Sequence, residues 1–301
     1  MANSWKLTAH ASKGRVQAAL LAHDEAWDWD PEIVLSGREI AEDRPEQWVI
    51  EAWLPRRPGK ADKSALAALF GRKVPAITAE RIPETDWLVV SQQGVEPIRA
   101  GRFHVHTPDF APLAEPGMID FAIPASQAFG TGHHATTAGC LAMLDAMKRR
   151  GLVVRNLADI GTGTGLLAFA GLALWPRALA TASDIDPVCL GVVAENAAAN
   201  GVRMGSGAGA LTMLAAEGME HPLLQARGPY DLLIANILAG PLVELADDFA
   251  HAVIPGGSVL LAGLLAGQEP ELRAAYRRAG FRLAARLDNH GWSILWLRRR
   301  G

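Results

Sequence analysis

The run Ala158-Asp159-Ile160-Gly161-Thr162-Gly163-Thr164-Gly165 joins an apolar, strand-like stretch to the helical pattern LLAFAGLAL. Glycines at alternate positions permit positive φ and let a ligand approach the main chain closely. The first N–H groups of the following helix have no partner inside it. At the end of the first strand of a parallel sheet, such a turn is a place where nucleotides bind. The spacing is G-x-G-x-G, not the G-x-G-x-x-G of dinucleotide enzymes, and no G-K-[ST] follows, which excludes a P-loop. Alone, the motif is compatible with a glycine-rich βα turn that binds nothing. Asp184 closes the stretch ALATASD, about 20 residues beyond the turn, where an acidic side chain accepts from both ribose hydroxyls. Asp186, beside Pro187, fits a helix cap better. Asn236 ends the apolar run YDLLIAN. A strand-end Asn is commonly only a turn residue, but here it places an amide over the same crevice.

The histidines raise a metal reading. His133 and His134 are adjacent and point apart, and His104 and His106 share a strand face. Neither pair has a carboxylate or third ligand at evident spacing, so no metal is expected. Cys140 and Cys189 lie among apolar neighbours in helical patterns and read as core residues.

These groups need a frame to hold them. From Thr136 onward apolar runs of strand length alternate with helical patterns: NLADIG, ALATASDID, YDLLIANIL and GSVLLAGLL, each followed by a helix. That alternation implies an α/β, Rossmann-like parallel sheet covered on both faces. The tail FRLAARLDNHGWSILWLRR offers two strands around Gly291 with no helix between them, an antiparallel C-terminal hairpin. The first eighty residues read as βαββαβ, the ferredoxin-like α+β pattern, with one strand alternating around Trp48, Ile50 and Ala52. Six of the nine tryptophans precede residue 100, a composition shift that marks a boundary. The expected organisation is a ferredoxin-like domain over 1–81, a linker over 82–118 with one short helix and the strand RFHVH, and the sheet domain over 119–301. The linker carries Pro83, Pro97, Pro108, Pro112 and Pro116.

Composition bounds the rest. The chain has 301 residues, half of them apolar, with 29 Lys and Arg against 32 Asp and Glu. Through residue 110 the count is 14 basic to 16 acidic, which lacks the basic footprint of an RNA-binding module, so no direct nucleic-acid binding is expected. Two cysteines exclude a disulfide framework. The start MANSWKLTAH is too polar for a signal peptide, and no apolar run has spanning length. A cytoplasmic protein without membrane contact is expected. Trp27, Trp29, Trp48 and Trp53 are possible docking anchors, with core packing the simpler role for each.

Taken together, DIGTGTG, DIDP and the Asn236 turn resemble class I S-adenosylmethionine-dependent methyltransferases. The fuller set adds AFGTGHHATT (128–137), ENAAANGV and ANILAGPL. This set is similar to the family that methylates the large-subunit ribosomal protein L11. The resemblance covers residues 117–301 clearly and the RAGRFHVH segment more weakly. It implies S-adenosylmethionine as cofactor and L11 as partner, with lysine side chains and the N-terminal α-amine as targets. It also implies a first domain that recognises the substrate, and a monomer is expected. The implied cofactor contacts are Thr137, Gly161, Asp184 and Asn236, with Phe129 and Gly130 closing the methionine end. Thr162, Gly163 and Ile185 are counted with them. Asn236 is the candidate catalytic residue, orienting the amine, helped by the backbone carbonyls of Ile237 and Leu238. The sequence departs from the T-H-P-T-T common in relatives at His133 and Ala135, leaving Thr137 intact. A methyltransferase for another protein or a small-molecule amine, and a non-catalytic cofactor-binding module, are the alternatives.

Overall fold

The computed structural model describes residues 4–24, 26, 29–30, 32–40, 44, 46–82, 96–124 and 134–301. They fall into two compact units, one within 4–82 and the other within 96–124 and 134–301. The first contains β1 (Trp5–Ser12), α1 (Lys13–Asp24), β2 (Val34–Glu39), β3 (Gln47–Leu54), α2 (Lys60–Ala68) and β4 (Ile77–Arg81). The sheet order is β2-β3-β1-β4 with every neighbouring pair antiparallel, the arrangement expected of a ferredoxin-like βαββαβ chain. Alternation along β3 sends Trp48, Ile50, Ala52 and Leu54 into one core with Leu7, Val16 and Leu66. Gly37 lets α1 sit close on β2, since a Cβ there would lie 2.8 Å from Val16 Cγ1 and 2.9 Å from Leu20 Cδ1. Trp48 is thus core. Trp29 donates from Nε1 to Ile33 O at 2.9 Å, Trp53 lies under the Lys6 ammonium, and Trp27 is outside the described residues.

The second unit is built on a seven-stranded sheet ordered β10-β9-β8-β11-β12-β14-β13. Its elements are α3 (His134–Arg149), β8 (Asn156–Ile160), α4 (Leu166–Leu174), β9 (Leu179–Asp184), α5 (Val188–Ala199), β10 (Leu211–Ala215), α6 (Pro222–Arg227), β11 (Tyr230–Asn236), α7 (Ala239–Glu244), α8 (Ala246–Ala252), β12 (Val253–Leu265), α9 (Glu269–Arg278), β13 (Phe281–Asn289) and β14 (Trp292–Arg299). Strands β8 to β12 run parallel, and the sheet is buried on both faces by two apolar clusters. The tail forms the expected hairpin, turning at His290 and Gly291 with positive φ. Strand β14 inserts antiparallel beside β12 and leaves β13 at the edge. Strand β10 is not expected from the sequence pattern.

Ahead of this sheet, β5 (Ile98–Ala100), β6 (Phe103–His106) and β7 (Ile119–Ala122) form a small sheet of their own. The strand expected at RFHVH is β6. Its two partners, and the burial of Ile98, Phe103, Val105 and Phe121 in the core shared with α3 and α4, make residues 98–122 part of the second unit's body. No helix occurs among the described residues 96–118. Among the described residues no helix is long and apolar enough to cross a membrane.

Candidate functional site

Strand order reverses between β8 and β11, so the crevice of the parallel sheet opens at their carboxyl ends. Register fixes what stands there. Ile160 pairs with Ser183 on one side and with Ala235 on the other. The next residue of each strand, Gly161, Asp184 and Asn236, therefore lies at one level on three adjacent strands.

The glycine turn is tied down from several sides. Gly161 N and Thr162 N both donate to Ser183 O, at 2.8 and 3.0 Å. Gly161, Gly163 and Gly165 all have positive φ, at 69°, 56° and 86°, a conformation that side-chain-bearing residues adopt at a cost. From below, Asp159 Oδ2 accepts from Thr162 Oγ1 at 2.6 Å and from Ala168 N at 3.0 Å, capping α4. Burial, assisted by the negative charge of Asp184, pushes the Asp159 carboxyl up to about 7. Its Oδ1 is buried with no partner. From α5, Asn196 Nδ2 donates to Thr164 O at 2.9 Å.

Asp184 is half-buried; Oδ2 accepts from Gly163 N at 2.8 Å and Oδ1 from Asp186 N at 3.1 Å. Each oxygen retains a lone pair for a further donor. Asp186 accepts from Val188 N at 2.9 Å and caps α5, as its sequence context suggests. Beside Asp184, Ile185 and Val188 are about two-thirds exposed, at 68% and 67%, apolar side chains that a flat heterocycle would cover.

On the other flank the chain from Asn236 to Leu238 threads between two glycines. A Cβ on Gly161 would lie 2.2 Å from Ile237 Cγ2, and one on Gly263 would lie 2.2 Å from Ile237 O. Asn236 Oδ1 is buried and has no hydrogen-bond partner. An unpaired buried acceptor is costly, and a ligand N–H would satisfy it. The Leu238 carbonyl, one of the two proposed helpers, accepts from Leu242 N at 3.2 Å and opens α7. The Ile237 carbonyl is the one turned to Gly263. Thr137 is buried in the first turn of α3, whose start is held by Asn289 Nδ2 donating to Ala135 O. Phe129 and Gly130 lie outside the described residues.

A sequence model of the family described as "Ribosomal protein L11 methyltransferase (PrmA)" matches residues 14–300. The chain belongs to this family. It is 39% identical over 272 residues to the ribosomal protein L11 methyltransferase of Rhizobium meliloti (strain 1021), covering 90% of this chain and 91% of the relative. It is 44% identical over 220 residues to that of Rhizobium johnstonii, covering 73% of each. Among solved structures, the ribosomal protein L11 methylase from Lactobacillus delbrueckii subsp. bulgaricus superposes with a TM-score of 0.55 at 25% identity. The match covers 68% of this chain and 99% of that one.

For a PrmA-family chain, two supports of the site escaped the sequence reading. Asp159 lies inside the glycine run, and an acidic residue at the end of an otherwise apolar strand is its only signal. Asn196 lies in the ENAAANGV segment; its signal is a polar residue among the buried positions of α5.

Proposed function

We propose that the protein transfers methyl groups from S-adenosylmethionine to amino groups of ribosomal protein L11, on lysine side chains and the N-terminal α-amine. The observation that carries this reading is that a single L11 methyltransferase family model runs through both compact units, from residue 14 to 300. The ferredoxin-like unit then recognises the protein substrate and the second unit holds the cofactor. The protein acts as a cytoplasmic monomer without direct nucleic-acid contact.

The residues present fit the cofactor. Its ribose hydroxyls would donate to Asp184, its adenine would cover Ile185 and Val188, and the glycine turn leaves room for close main-chain approach. Thr137 and the Asn236 amide would serve the methionine end. When bound, the cofactor supplies an electrophilic methyl group on a sulfonium. The remaining work is positioning and exclusion of water, because a neutral amine needs only to be held in line. A lysine ammonium, with an ordinary pKa near 10.4, must lose its proton before it can attack. The free Asn236 Oδ1 accepts an N–H of the neutral amine and aims its lone pair.

The test is transfer of radiolabelled methyl from S-adenosylmethionine to purified L11. Asp184→Ala is expected to abolish cofactor binding and transfer together. Asn236→Ala should retain measurable cofactor binding and lower the rate about 100-fold, the loss associated with one positioned polar group. Wild-type protein that binds cofactor yet labels no L11 would refute the assignment.

A further inference from the structure

Strands β6 and β7 pair in parallel with His104 directly opposite Asp120. The i, i+2 spacing puts His104 and His106 on one face, with ring centroids 5.3 Å apart. Both imidazoles are buried, at 8% and 4% exposure, and both face a single carboxylate. His104 Nδ1 is 2.5 Å from Asp120 Oδ1, and His106 Nε2 is 3.0 Å from Asp120 Oδ2.

The second contact has a consequence for charge. His106 Nδ1 lies 2.6 Å from Thr107 O, and a carbonyl only accepts, so that nitrogen carries the proton. In a neutral imidazole the other nitrogen, Nε2, then presents a lone pair. That lone pair points at a carboxylate oxygen, which is repulsive unless a positive charge lies between them. A proton or a metal ion meets this need. Two further observations fit a metal ion. One carboxylate serves two imidazoles, and the three ligand atoms lie within 4.8 Å of one another. The groups behind the ligands are also those of a metal site: Thr107 O fixes the His106 tautomer, and Leu113 N donates to Asp120 Oδ1 at 3.1 Å.

We propose that His104, His106 and Asp120 bind one divalent transition-metal ion of the zinc class. Two neutral imidazoles and a carboxylate are an N/O donor set suited to Zn²⁺. The Asp120 side chain is 25% exposed, which leaves an open side for a water as fourth ligand. The ion clamps β6 to β7 across the sixteen residues that separate His104 from Asp120. Asn200 ties the same strand to α5 through Ala122, donating to its carbonyl at 2.9 Å and accepting from its N–H at 2.8 Å.

The experiment is titration of chelator-stripped full-length protein with Zn²⁺ by calorimetry, and with Co²⁺ by visible absorption. One equivalent should bind, Co²⁺ should show the d–d bands of a low-coordinate N/O site, and Zn²⁺ should raise the melting temperature. Asp120→Asn and the double variant His104→Gln/His106→Gln should bind at least about 100-fold more weakly. Should a variant fail to fold by circular dichroism, the wild-type stoichiometry and the Co²⁺ spectrum decide alone. Absence of one-equivalent binding in the wild type overturns the proposal and leaves an imidazolium–carboxylate ion pair. Binding that survives in the folded double variant overturns it as well, since it would then lie at other histidines.

Discussion

The seat of Ile237 between Gly161 and Gly263 makes a prediction that can be worked through. Replacing Gly161 by Ala places a methyl 2.2 Å from Ile237 Cγ2 at a backbone φ of 69°. Two separable terms follow. The left-handed conformation costs an L-residue about 1–2 kcal/mol, and the forced contact adds about 1–3 kcal/mol as overpacking. Gly161→Ala should therefore destabilise the second unit by about 2–5 kcal/mol, lowering its melting temperature by roughly 5–15 °C for about 200 residues. Ile237→Ala alone removes a half-buried side chain and should cost about 1–2 kcal/mol, below the range for a fully buried one. In the double variant the nearest remaining Ile237 atom, Cβ, stands 3.7 Å from the new methyl, an ordinary contact. The steric term then vanishes while the φ term persists. A double-mutant cycle by denaturant unfolding should show coupling of about 1–3 kcal/mol, the pair costing less than the sum of the singles. Additivity within about 0.5 kcal/mol would refute the close approach of the turn to residue 237, and with it the positioning of Asn236.

Three other outcomes follow from the same geometry. Asp159 has its carboxyl raised from 3.8 to about 7 by burial, so between these values the folded state holds more proton than the unfolded one and stability falls as pH rises. Asp159→Asn cannot ionise and can still accept from Thr162 and Ala168, so its melting temperature should gain on the wild type as pH rises from about 4 to 7; a constant difference across that window would reject the buried carboxyl. Asn196→Ala removes the donor to Thr164 O and should cost about 1–3 kcal/mol; unfolding midpoints read this directly. Gly37→Ala, which needs α1 to move off β2, should lower the unfolding transition of the first unit by about 1–3 kcal/mol and leave the stability of the second unaltered.

How much of this was written legibly in the sequence depends on the range of the interaction. β8, β9, β11 and β12 were readable because strands buried on both faces are near-continuous apolar runs. LTMLA escaped because β10 is five residues at the sheet edge, mostly half-exposed. The stretch 98–118, inside the expected linker over 82–118, read as a connector because prolines at 108, 112 and 116 interrupt it. What holds it, the pairing of Phe103–His106 with Ile119–Ala122, lies between pieces too short to show a period. The same distance hid the carboxylate facing the two histidines: Asp120 meets His104 only through strand register. Asp159 was legible as a residue but not as a role, which exists only once the turn folds back over it.

The site itself follows from one topological fact. Gly161 and Asn236 are seventy-five residues apart in sequence but adjacent in the sheet, because β11 lies next to β8 on the side away from β9. Had the strands paired in chain order, Asn236 would stand three strands from Gly161, its amide beyond reach of any ligand seated on the turn. The reversal of order brings the groups to one level, and the glycines at 161 and 263 allow the segment after β11 to settle between its neighbours. A larger residue at either position would press on Ile237 and move the residue before it. On the proposed reading those two glycines serve the reacting end of the site through packing, whereas the glycine at 163, which offers its N–H to Asp184, serves the ribose end. The positional tolerance of the two ends should differ accordingly, with substitutions at 263 felt in the transfer step, at 163 in cofactor affinity, and at 161, which borders both, in each.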